Sequence, residues 1–120
     1  MKKILIIEDE KLLADMYQDI FIQSGYKTFL APTAEDGIKL AKREKPDLIL
    51  LDILLPKDNG IDFLKKLKTD PQISSSKVIA FSNYEEPKTV REAYDLGVKD
   101  YLLKTDFNPK EIVERVERYL

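Results

Sequence analysis

"DLILLDILLPKDNG", residues 47–60, sets four apolar residues, Leu48 to Leu51, before an aspartate and three more, Ile53 to Leu55, after it. A short continuous apolar run closed by turn residues reads as a strand buried on both faces of a parallel sheet. Asp52 interrupts that run. A buried acid without a partner costs several kcal/mol, so something elsewhere in the chain must compensate it.

On both sides of this stretch the chain alternates two periodicities. "KILIIE" (3–8), "KTFLA" (27–31), "KVIAFS" (77–82) and "KDYLLK" (99–104) are further short apolar runs. Between them lie helical patterns. Leu13, Met16, Tyr17, Ile20 and Phe21 share one helical face, and Gly25 can close that helix. Thr33 is placed to cap "AEDGIKLAKRE", with Asp36 at its third position, close to a capping box. A third helix starts near Asn59 and runs through "IDFLKKLK". Pro87 suits the first turn of a fourth, "KTVREAYDL", which Gly97 stops. "NPKEIVERVERYL" opens with an Asn cap and a Pro at the first helical position, and then buries Ile112, Val113, Val116 and Leu120. Strand and helix alternate with crossovers long enough for parallel connections. This predicts one domain over residues 1–120, a doubly wound α/β sandwich around a central parallel sheet. "TDPQISSSK" (69–77) is the longest loop-like stretch, returning the chain to the fourth strand.

Composition removes several chemistries. The 120 residues contain no cysteine and no histidine, which excludes disulfides, thiol catalysis, a Ser-His-Asp triad and histidine or cysteine zinc sites. A net charge of −2, from 20 basic and 22 acidic residues, gives no nucleic-acid footprint and no attraction to a membrane. The apolar run in "MKKILIIEDE" ends at Glu8, too short for a signal peptide or a span, so the expectation is a cytoplasmic protein.

Ligands of open α/β sheets bind beyond the carboxyl ends of the strands, where the strand order switches. The first strand ends in Glu8-Asp9, the third in Asp52, the fourth in Ser82 and the fifth in Lys104. Singly, each has an ordinary structural reading: Asp9 a helix cap, Ser82 a turn residue, Lys104 a solvated strand end. Together they bring three carboxylates, a hydroxyl and an ammonium to one edge of the sheet. Three carboxylates repel one another and one lysine offsets only one charge, so either some stay protonated or a cation joins them. An all-oxygen donor set favours a hard ion, Mg²⁺ or Mn²⁺, over zinc. A carboxylate, a metal, a lysine and a hydroxyl are the parts from which phosphoryl transfer is built.

The set "IIEDE", "LLDILLPKDNG", "AFSN" and "DYLLK" resembles the receiver domain of bacterial two-component response regulators over essentially the whole chain. The resemblance implies the flavodoxin-like (βα)5 fold, with strand order 2-1-3-4-5 and helices on both faces of the sheet. It implies that Asp52 accepts a phosphoryl group from a sensor histidine kinase or a histidine phosphotransfer protein. Glu8 and Asp9 match the acidic pair that holds Mg²⁺ with Asp52 and the backbone carbonyl of Leu54. Ser82 matches the hydroxyl residue that bonds the phosphoryl group, Lys104 the lysine that pairs with it, and Tyr101 the aromatic switch. Pro56 and Gly60 match the loop after the phosphoacceptor. The face formed by the fourth helix, fifth strand and fifth helix would then control an output, and a phosphorylation-dependent homodimer is compatible with it.

Four positions depart from the family pattern. Glu8 stands where Asp is common, and its longer arm allows a reach to the metal through water. Asn83 follows Ser82 where alanine is usual, narrowing the entrance. Leu54, with Tyr84, occupies a position that in the family tunes hydrolysis of the aspartyl phosphate, which implies a long-lived phosphorylated state. Thr105 follows Lys104 where proline is usual, so the Lys104–Thr105 peptide is expected to be trans. A haloacid-dehalogenase-type phosphatase would need a second Asp at Leu54, and a dinucleotide site would need a glycine-rich loop after the first strand. A docking module on the same fold, working without phosphorylation, is the remaining alternative.

Overall fold

The computed structural model describes residues 1–55, 59–83 and 85–120; the expectations for Pro56 and Tyr84 therefore lie outside the described residues. Strands and helices alternate as β1 (Lys3–Ile7), α1 (Lys11–Gln23), β2 (Lys27–Ala31), α2 (Ala34–Glu44), β3 (Leu48–Asp52), α3 (Gly60–Thr69), β4 (Lys77–Ser82), α4 (Pro87–Asp95), β5 (Asp100–Leu103) and α5 (Pro109–Glu117). All strand pairs are parallel, in the order β2-β1-β3-β4-β5. The order reverses between β1 and β3, so their carboxyl ends flank the crevice where ligands of such sheets bind.

The sheet divides the core in two. One face packs Leu5, Ile7, Ile49, Leu51 and Ala80 against residues of α2, α3 and α4, including Ala41, Phe63, Leu64 and Ala93. The other packs Ile4, Ile6, Leu48, Leu50 and Phe81 against α1 and α5 through Tyr17, Phe21, Ile112, Val113 and Val116. Every residue of β3 is buried, which is why its sequence runs apolar without alternation.

Local chemistry sets the helix ends. Thr33 accepts a hydrogen bond from the Asp36 amide at 3.1 Å, and Asn59 one from Ile61 at 2.8 Å. Asn108 and Glu111 complete a reciprocal capping box on α5, with Pro109 in the first turn. Gly25 and Gly97, at φ +94° and +97°, end α1 and α4 in a conformation that disfavours any Cβ. The loop 70–76 is not a bare return: Ile73 is buried in the α3-side core and anchors it.

Met16 departs from its expected place. Tyr17 lies at the centre of the α1 stripe, and Met16 is turned about 100° from it, so it falls outside the packed arc and is 48% exposed. Leu120, past the end of α5, is only half-buried, and its carbonyl accepts from Lys2 at 3.1 Å. Among the described residues no helix is long and apolar enough to cross a membrane.

Candidate functional site

The carboxyl ends of β1, β3, β4 and β5 bring the sequence-derived residues together. Asp52 ends β3 and is 3% exposed. Its Oδ1 accepts from the Leu54 amide at 3.0 Å, and its Oδ2 from Lys104 Nζ at 3.1 Å. The two contacts supply the compensation that the sequence demanded. They are charge-assisted and come from different elements, one from the backbone just past β3 and one from the residue after β5.

Gly60 brings the start of α3 against the end of β3. A Cβ there would lie 2.7 Å from Ile53 Cα and 3.0 Å from the Asp52 carbonyl oxygen. Only glycine lets the first turn of α3 press against the strand end, where the Gly60 amide donates to the Ile53 carbonyl at 2.9 Å.

Glu8 is as buried as Asp52, at 3% exposure. Lys104 Nζ donates to its Oε1 at 2.6 Å, and the Glu10 amide to its Oε2 at 3.2 Å. Burial is the largest influence on this carboxyl and, with the Asp52 charge, lifts its pKa from 4.5 to about 7 against the pull of Lys104. On Lys104, burial works against the charge, but the hydrogen bond to Glu8 and the two carboxylates outweigh it and hold the ammonium above its usual range. The reading of Lys104 as a solvated strand end is thus wrong.

Asp9 is exposed. The N-cap of α1 is Glu10, without a side-chain capping bond, so Asp9 does not serve as the cap. Glu8, Asp9 and Asp52 each offer a carboxylate oxygen, and these oxygens lie within 4.8 Å of one another. All-oxygen donors at that spacing, with one exposed carboxylate at the rim, fit a hard divalent cation. The lysine alone cannot neutralise them.

Ser82, fully buried at the end of β4, and Tyr101 on β5 share a hydrogen bond. Burial raises the Tyr101 phenol above its usual range, and this hydrogen bond opposes the rise. A small pocket of about 80 Å³ opens between Leu54, Ser82, Glu86, Thr89 and Tyr101, joining the strand ends to α4. Leu54 is 47% exposed at its mouth. The Lys104–Thr105 peptide is trans, as are all those of the described residues.

Sequence reasoning missed Asp100. This carboxylate is 8% exposed; its Oδ2 accepts from Arg115 Nε at 3.1 Å and from the Tyr119 hydroxyl at 2.9 Å, tying β5 to α5 and the chain beyond it. A hydrogen bond with Tyr94 adds α4 to the same knot. The signal available was an acid at an inward position of a strand.

The response regulator receiver domain profile matches residues 4–117. The chain belongs to that family. The receiver is 35% identical over 119 residues to the alkaline phosphatase synthesis transcriptional regulatory protein PhoP of Bacillus subtilis, a match covering 99% of this chain and 48% of that protein, about half its length. It is 32% identical to sporulation initiation phosphotransferase F of the same organism, over 99% of this chain and 94% of that one. Among solved structures, the phosphorylated cyanobacterial phytochrome response regulator RcpA superposes with a TM-score of 0.87 at 28% identity, covering 98% of this receiver and 92% of that chain. Receiver domains are signalling domains of two-component systems, and this receiver has their flavodoxin-like strand order.

Proposed function

We propose that the domain, taken as one unit over residues 1–120, accepts a phosphoryl group on Asp52 from a phosphohistidine of a sensor kinase or phosphotransfer protein, in a reaction that needs a divalent cation. The observation that carries this reading is the placement of Asp52 itself: a buried carboxylate on a rigid strand end, held by the Leu54 amide and Lys104. Its likeness to a phosphorylated response regulator supports the same chemistry.

The chain's own groups divide the work. A carboxylate oxygen of Asp52 attacks phosphorus; the new P–O bond forms as the bond to the donor nitrogen breaks, and the nitrogen departs with the electron pair. The strand fixes the nucleophile, so little freedom remains to be lost on reaching the transition state. Lys104 already stands beside Asp52 and turns its ammonium to the phosphoryl oxygens as the carboxylate charge moves onto them. The Ser82 hydroxyl bonds another of those oxygens. Glu8, Asp9, Asp52 and the Leu54 carbonyl would hold Mg²⁺ or Mn²⁺, which supplies charge neutralisation and alignment of the phosphoryl group.

Once Ser82 engages the phosphoryl group, its bond with Tyr101 is released. Tyr101 then turns toward the pocket beside Thr89, and the α4-β5-α5 face changes, which biases an output partner or a homodimer. The setting is cytoplasmic. Nothing in the reading calls for direct contact with nucleic acid. Phosphorylation with a small phosphodonor and Mg²⁺, followed by amide NMR, tests it. Shifts should extend from Asp52 through Ser82 and Tyr101 to α4 and α5; shifts confined to the Asp52 pocket would remove the switch from the account.

A further inference from the structure

We propose that Phe81 is a positioning residue for this chemistry: the face of its ring holds the Lys104 ammonium beside Asp52, and Tyr17 packs against that ring. The inference rests on Asp52 being the phosphoacceptor. Lysine places a compact charge on a flexible four-carbon stem, so its position is set by what surrounds it. Two carboxylates, Glu8 and Asp52, hold the Lys104 ammonium by hydrogen bonds at 2.6 and 3.1 Å, and these alone leave it free to swing between them. A third contact restricts that swing. Lys104 Nζ lies 4.7 Å from the centroid of the Phe81 ring, within the range where the negative face of an aromatic ring attracts a cation.

The ring is itself immobilised. Phe81 is fully buried and pairs in register with Asp52 across β3 and β4, so it stands at the same level of the sheet as the nucleophile. The Ile53 amide donates to the Phe81 carbonyl at 3.1 Å, which ties the two strand ends together. From α1, the 99%-buried Tyr17 meets Phe81 edge-on, with ring centroids 5.4 Å apart and planes at 71°. The Tyr17 hydroxyl makes no hydrogen bond with a described residue, and the charges of Glu8 and Asp52 act on it. Tyr17 is thus fastened by ring packing, and its polar end borders the acidic site. A leucine at position 81 would also be apolar, but smaller and without a ring face. Only an aromatic ring attracts the ammonium.

The test keeps the ring's shape and weakens its negative face, by placing a trifluorinated phenylalanine at position 81. Phosphorylation of Asp52 by phosphoramidate with Mg²⁺ is timed beside wild type, thermal midpoints are compared, and the Lys104 ε-methylene proton shifts are read by NMR. The expected result is an unchanged midpoint with phosphorylation slowed roughly threefold or more, as for the partial loss of a cation–ring contact. Wild type should show those methylene protons shifted upfield by the ring, and Phe81→Leu should abolish that shift. A fluorinated protein that reacts at the wild-type rate, or a wild type without the upfield shift, would overturn the proposal. A wild type whose Asp52 accepts no phosphoryl group would instead remove the underlying reading, and this inference with it.

Discussion

Lys104 and Glu8 stand 96 positions apart in the chain, yet the Lys104 ammonium and the Glu8 carboxylate meet at 2.6 Å, both more than nine-tenths buried. The lysine bridges the first and third strand ends, since its other partner is Asp52. Replacing it by an apolar side chain of similar length leaves two adjacent buried carboxylates with no counter-charge. Lys104→Met should therefore destabilise the metal-free protein by about 3 kcal/mol at pH 8. The loss should shrink at pH 5, where Glu8 takes up a proton. Urea unfolding at the two pH values measures it, and an equal loss at both would mean that the bridge does not couple the carboxylates.

The raised pKa of Glu8 has a defined consequence for stability. The folded state holds the proton up to about pH 7, whereas an ordinary glutamate releases it near 4.5. A group raised in this way contributes stability fully below pH 4.5, and that contribution is lost as pH rises through 7; a shift of this size corresponds to roughly 3 kcal/mol. Chelator-treated wild type should lose stability relative to Glu8→Gln across that window. Added Mg²⁺ should restore much of the loss at pH 8. Parallel pH–stability curves for the two proteins would contradict the assignment.

Asp9 separates binding from folding. It is exposed and caps no helix, so Asp9→Ala should change unfolding free energy by less than about 0.5 kcal/mol. The same variant should weaken Mg²⁺ binding more than any other single change at the site, since Asp9 is the carboxylate turned toward solvent. Calorimetric titration with Mg²⁺ checks this. Metal affinity equal to wild type would take Asp9 out of the metal site.

The sheet and its helices were legible because each β-strand is a short apolar run and three helix starts carry a capping residue in plain view, Thr33, Asn59 and Asn108, while Pro87 marks the first turn of α4. The site was legible because Glu8, Asp9, Asp52, Ser82 and Lys104 all end strands or directly follow them, and a parallel sheet delivers those ends to one edge. What the sequence hid depends on side-chain direction. Met16 matched the apolar pattern of α1 but lies just off the packed arc, and Asp100 sits in a β5 pattern that does not announce its partners Arg115 and Tyr119. Whether Lys104 reached Glu8 or water was equally hidden, since a long stem permits both.

Leu54, whose amide donates to Asp52, has a side chain that is 47% exposed and unable to orient water, and in the proposed reaction it borders the in-line approach. Hydrolysis of an aspartyl phosphate needs a water in line with phosphorus, so the phosphorylated state should be long-lived. Leu54→Asn supplies a group that can hold such a water and should shorten the phosphoryl half-life several-fold. An unchanged or longer half-life would show that this side chain does not control the approach.

Phosphorylation of Asp52 is tested most directly by intact-mass measurement after incubation with Mg²⁺ and a small phosphodonor. Wild type should gain one phosphoryl group and lose that gain when Mg²⁺ is chelated beforehand. Asp52→Asn, which keeps the shape of the side chain and removes the nucleophile, should gain none. A phosphoryl group on Asp52→Asn at the wild-type level, or none on wild type with Mg²⁺ present, would contradict the account.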